Sequence, residues 1–116
     1  MNRMENTMNN REKIQNKIET GNFMHQNGSV LRTLNIIPDS KCRLSSLEYS
    51  FKGIDHYEFM DSIKYLDSSG YVELTDIESG KKIDFKSDRL ESTEISLTAK
   101  GIKVLRGVII DDCIDV

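Results

Sequence analysis

The chain holds few residues with which to make or break bonds. His25 and His56 are its only histidines, and there is no HExxH spacing, no paired cysteine and no acid cluster at ligand spacing. Ser69-Gly70 and Ser79-Gly80 are turn signals, too short of glycine to cradle a phosphate. Cys42 and Cys113 lie far apart without a CxxC pattern, as free thiols of a reducing compartment do. These residues imply no enzyme, no metal and no cofactor. What remains is recognition chemistry, in two places. Tyr57, Glu58, Asp61, Lys64, Tyr65 and Ser68 recur at helical spacing, and Lys81, Lys82, Lys86 and Arg89 crowd into one polar stretch against Asp84 and Asp88.

Composition limits the partners. The 116 residues make one domain with short appendages, long enough for a core that needs no disulfide or metal. The net charge of -3 gives no global field toward nucleic acid or an acidic membrane, so any such attraction must be local. No run approaches the roughly 20 apolar residues of a membrane span. The polar start, "MNRMENTMNNREK", lacks the apolar segment of a secretory signal. The expected location is the cytoplasm.

The elements that must position these side chains can be read from periodicity. Residues 1–9 are expected as a flexible arm, residues 10–107 as the folded domain and residues 108–116 as a short acidic tail. Ile14 and Ile18 predict a helix over Asn10 to about Thr20, with Gly21, Asn27 and Gly28 as breakers. Val30, Leu31 and Leu34 predict a second helix, capped by Ser29 and closed by Pro38. A brief strand over Cys42–Leu44 leads to a helix in which Ser45 and Glu48 have capping-box spacing. Asp55 and Glu58 repeat that arrangement before a helix that buries Phe59, Met60, Ile63 and Leu66 and stops at Gly70. Tyr71–Thr75 and Ile95–Leu97 predict strands joined by a long, irregular hairpin. Thr98 caps a last helix with Ile102, Leu105 and Val104 as its inward candidates. There are no internal repeats.

This order, with "YLDSSGYVEL" and "ISLTAKGIKVLRG", resembles the winged helix-turn-helix regulators of the multiple-antibiotic-resistance-regulator (MarR) type over roughly Ser29 to Gly107. Leu66, Gly70, Leu97, Thr98, Lys100 and Gly101 carry the likeness. It implies an α+β winged-helix fold, a three-helix core with a β-hairpin wing, here with an extra N-terminal helix. It also implies binding to double-stranded DNA as a transcriptional regulator, and it allows a homodimer. In such proteins the helix from Asp55 to Ser69 enters the major groove and the wing touches the backbone. Lys52, Tyr57, Lys64, Tyr65, Lys81, Lys82, Lys86 and Arg89 are then the DNA contacts, with Arg43 as a further backbone candidate.

The residues themselves leave an alternative open. From Gly53 to Ser69, Lys64 stands as the single Lys or Arg against Asp55, Glu58, Asp61 and Asp67. Acids at a helix start satisfy free N–H groups, which accounts for Asp55 and Glu58, but Asp61 has no such local reason. A winged helix turned to protein binding, for example in a phage or mobile-element accessory complex, would use Tyr57, Glu58, Asp61 and Tyr65 as its interface. Tyrosines serve either role, and a basic hairpin tip also keeps an exposed edge soluble.

Overall fold

A computed structural model describes residues 9–85 and 87–116. The architecture is α+β, with helices α1 (Asn10–Ile36), α2 (Leu44–Ser50), α3 (His56–Ser68) and α4 (Ala99–Leu105). Strands β1 (Lys41–Arg43), β2 (Val72–Asp76) and β3 (Thr93–Leu97) form one antiparallel sheet in the order β1-β3-β2. Leu74 and Cys42 both sit opposite Ile95, which is fully buried at the centre of the sheet. Among the described residues, no helix is long and apolar enough to cross a membrane. The arm expected over residues 1–9 lies outside the described residues except for Asn9, whose side chain caps α1 by accepting from the Glu12 N–H at 2.8 Å.

The main correction concerns α1. The two helices expected on either side of Gly21–Gly28 are one continuous helix of 27 residues. A glycine inside a helix costs about 1 kcal/mol relative to alanine, which is little against the packing available here. Val30, Leu31 and Leu34 fix the C-terminal half of α1 in the core. Gly28 is a contact point rather than a breaker: a Cβ there would stand 1.8 Å from the Asp115 carbonyl oxygen, so the chain's last residues cross α1 where it has no side chain.

Smaller corrections follow from where elements begin. Helix α2 starts directly after β1, at Leu44, so Ser45 falls inside the first turn and the capping box does not form. Glu48 instead meets His56 Nδ1 of α3. Strand β2 starts at Val72, not Tyr71, because the Tyr71 backbone is already engaged. Its N–H donates to the Leu66 carbonyl (3.0 Å) and its carbonyl accepts from the Thr98 N–H (3.1 Å). In α4 it is Gly101 and Val104 that are buried, whereas Ile102 is exposed. A Cβ on Gly101 would lie 2.3 Å from the Tyr71 carbonyl oxygen, and this close approach sets which face of α4 turns inward.

The reading of α3 agrees with its structure on the buried face. Phe59, Met60, Ile63 and Leu66 are all buried. Asp55 caps the helix by accepting from the Tyr57 N–H at 3.0 Å. Gly70, at φ 82°, ends it in the left-handed conformation. Leu44 and Leu47 of α2 are buried beside it, and the Phe51 and Phe59 rings meet at 6.0 Å.

Candidate interaction surface

Helix α3 presents Tyr57, Glu58, Asp61, Lys64 and Ser68 as exposed side chains. Tyr57 is 77% exposed. Helix α1 stands beside this strip. The Gln26 amide donates to the Glu58 carboxylate at 3.4 Å, and the Phe23 ring meets Tyr65 edge-on at 5.5 Å. Between the two helices lies a groove of about 250 Å³ lined by Glu19, Phe23, Gln26, Glu58 and Asp61. Three carboxylates therefore surround one aromatic ring and one amide. Such a lining attracts a cation carried on an apolar stem.

Tyr65 is not part of the free strip. Its hydroxyl donates to the Asp111 carboxylate (2.7 Å to Oδ2), and the Tyr71 hydroxyl donates to the same oxygen at 2.6 Å. The Cys113 N–H donates to the other carboxylate oxygen at 2.8 Å. Burial pushes the Asp111 carboxyl upward, but these three donors outweigh it and hold the group below the ordinary carboxylate value. The tyrosines move the other way. The hydrogen bond to Asp111 and then burial push Tyr71 up to about 12, while burial first, with the Asp111 bond, raises Tyr65.

These bonds hold residues 108–116 against the body. Ile114 is buried, the Asn27 amide donates to the Cys113 carbonyl at 2.9 Å, the Asp115 N–H donates to the Met24 carbonyl at 3.0 Å, and Arg32 donates to the Asp115 carbonyl at 2.9 Å. The acidic tail is thus a packed part of the fold.

The cations sit elsewhere. Lys81, Lys82 and Arg89 are exposed on the β2–β3 connection, and Lys86 lies outside the described residues. Lys82 pairs with Glu73 at 3.2 Å, with both side chains well solvated, so the pair contributes little. The connection is shaped by Asp76, whose carboxylate accepts from the Ser79 N–H at 2.9 Å and is lowered by that bond. A bridge between Thr75 and Lys82 and a 3₁₀ turn over Ser87–Ser92 complete it. Lys52 is exposed over the Tyr49 ring at 5.8 Å, and Arg43 donates to the Glu91 carbonyl. Lys100 reaches the Ser69 carbonyl at 2.9 Å and covers the end of α3.

The structure therefore brings Glu58 and Asp61 together with Glu19, Phe23 and Gln26, which the sequence reading had not singled out. Reading α1 as broken at Gly21 hid them, because only an unbroken helix carries Glu19 alongside α3. Lys64 sits at the edge of this region, lining a neighbouring hollow with Phe23, Asp61, Tyr65 and Ser68. Among the described residues, no group of three or more His, Cys, Asp or Glu is placed to hold a metal ion. In comparisons with known proteins, no family model, no curated protein and no solved structure matches this chain.

Proposed function

We propose that the chain is a winged-helix domain serving as a protein-interaction module, which takes a basic, apolar helical segment into the groove between α1 and α3. The winged-helix part rests on the element order, on the α2–α3 pair, and on the β2–β3 hairpin that returns to α4. The observation that carries the function is the placement of Glu19, Glu58 and Asp61 around Phe23. A duplex approaching α3 meets these carboxylates first, and like charges held beside phosphates oppose binding. A helical peptide bearing Lys or Arg on one edge finds complementary charge and an aromatic anchor.

A second reading, DNA binding by a transcriptional regulator, is favoured by a different observation. Lys81, Lys82 and Arg89 are exposed on the hairpin, as are Lys52 before α3 and Tyr57 and Lys64 on it. One pair of titrations separates the two. In the first, a Lys- and Leu-rich helical peptide is added to isotopically labelled protein, and shifts are expected at Phe23, Glu58 and Asp61, lost in the Glu58→Lys, Asp61→Lys protein. In the second, fluorescent mixed-sequence duplex at low salt is expected to show no binding. Salt-sensitive duplex binding that disappears with Lys81→Glu, Lys82→Glu would establish the second reading in place of the first.

A further inference from the structure

The end of α4 and the start of the tail expose apolar side chains together. Helix α4 buries Gly101 and Val104, and at 3.6 residues per turn this leaves Ile102, Lys103 and Arg106 on its outward side, all exposed. The chain then reverses. The Gly107 N–H donates to the Val104 carbonyl at 3.0 Å and the Val108 N–H to the Lys103 carbonyl at 2.9 Å, with Gly107 left-handed at φ 76°. In a helix stop of this kind the residue after the glycine returns over the last turn, beside the positions that here are Ile102 and Lys103. Ile109 packs against the core and Asp111 is held by the Tyr65 and Tyr71 hydroxyls, so Ile110 between them is left outward. Ile102 is 40% exposed, Val108 71% and Ile110 85%.

Exposed apolar residues scattered singly need no explanation, whereas neighbouring ones mark contact surfaces. Lys103 and Arg106 have a local reason, because cations complement the negative end of a helix. The three exposed apolar residues have none. Among the described residues, neither Lys103 nor Arg106 forms an ion pair, so both charges act outward. Charge is uneven over the patch. The two cations lie at its α4 end, and exposed Asp112 bounds it beyond Ile110. An anionic membrane would meet Asp112 as well as the cations, and like charges oppose that approach. A protein segment can carry acids at one end of an apolar run only, and so match both ends of the patch.

We propose that Ile102, Lys103, Arg106, Val108 and Ile110 form a docking surface for a partner protein, through a segment whose apolar run carries Asp or Glu at one end. The apolar run covers Ile102, Val108 and Ile110, and its acids pair with Lys103 and Arg106. This surface shares no residue with the α1–α3 groove, so it stands whether or not the groove takes a basic helix.

The test is titration of the full, isotopically labelled chain with a Leu-rich peptide bearing Glu residues at one end. Shifts are expected at the amides of Ile102, Lys103, Val108 and Ile110, and not at Glu58 or Asp61. Lys103→Glu, Arg106→Glu should weaken binding by about tenfold or more. A peptide with Lys in place of Glu should then bind that variant, with shifts at Ile102, Val108 and Ile110. Ile102→Ser, Ile110→Ser should weaken the Glu-ended peptide by about tenfold as well. The substituted positions are all exposed, and an unchanged urea midpoint verifies that each variant is folded. No shifts at millimolar peptide, or shifts confined to another surface, overturn the proposal. Equal affinity for a peptide with Ser in place of Leu also overturns it, because charge alone then accounts for binding. Co-sedimentation with anionic phosphatidylserine vesicles, without any response to the peptide, assigns the patch to a membrane and overturns it too.

Discussion

Replacing Asp111 by alanine removes one carboxylate that two tyrosine hydroxyls and a backbone N–H share. A hydrogen bond to a charged group contributes about 1.5–3 kcal/mol when buried. Tyr71 is buried, but Asp111 is partly open to solvent, so both bonds must be discounted. The net loss expected is about 2–3 kcal/mol, a sizeable part of the ~5–15 kcal/mol that holds a domain of this kind together. The pH dependence has two limbs. Asp111 is held below its ordinary value, so its contribution is present above the unfolded carboxyl value of 3.8 and is lost as pH falls through the folded one. Tyr71 is raised from 10 to about 12, so its contribution is complete below pH 10 and fades as pH climbs toward the folded value. Urea unfolding followed by circular dichroism at acid, neutral and alkaline pH measures all three regimes. Asp111→Ala should lower stability at neutral pH and flatten both limbs. It should also be non-additive with Tyr65→Phe and Tyr71→Phe, since all three act on one cluster. A loss below about 0.5 kcal/mol at neutral pH, the level of an ordinary surface change, would refute the reasoning and make the tail a loose appendage.

Two further substitutions test the account of α1. Gly21→Ala places a methyl where nothing lies within 4 Å, in the middle of a continuous helix. It should stabilise the protein by up to about 1 kcal/mol, read as a higher urea midpoint, whereas a break at Gly21 would make the same change neutral or harmful. Gly28→Ala drives a Cβ into the Asp115 carbonyl. It should cost about 1–3 kcal/mol and speed hydrogen exchange at the Asp115 amide, with wild-type exchange there as the refuting outcome.

Legibility followed the range of each signal. The buried face of α3 was readable because apolar residues recur at helical spacing, and its ends because Asp55 and Gly70 act on backbone groups within their own turn. Thr98 was readable for the same reason: its hydroxyl accepts from the Gly101 N–H three residues on. Ile102 misled because periodicity cannot tell which side of a short helix faces the body. That was settled by Gly101, whose missing side chain lets α4 approach the Tyr71 carbonyl. Glu48 misled in the same way, since its partner His56 lies in the next helix.

The site was less legible than the fold. Glu58, Asp61, Tyr57 and Lys64 could be placed together on one helix face from spacing alone. Tyr65 was grouped with them, but its hydroxyl is bound by an acid 46 residues away. Glu19 and Phe23 carried no mark of function, because they complete the groove through an unbroken α1 and its packing on α3.

The sequence by itself determined the α+β order of elements from β1 onward, the cap and stop of α3, the cap of α4, the acidity of the α3 strip and the basic character of the hairpin. Each of these depends on residues within a turn or two, where propensity, capping and spacing are decisive. Tertiary structure decided that α1 runs unbroken through two glycines, that the tail is bound to the body, and that Tyr65 is withdrawn while Glu19 and Phe23 are recruited. Those outcomes depend on contacts between residues far apart in the chain. A local penalty of about 1 kcal/mol, such as glycine in a helix, is overruled once such contacts bury the apolar residues on either side.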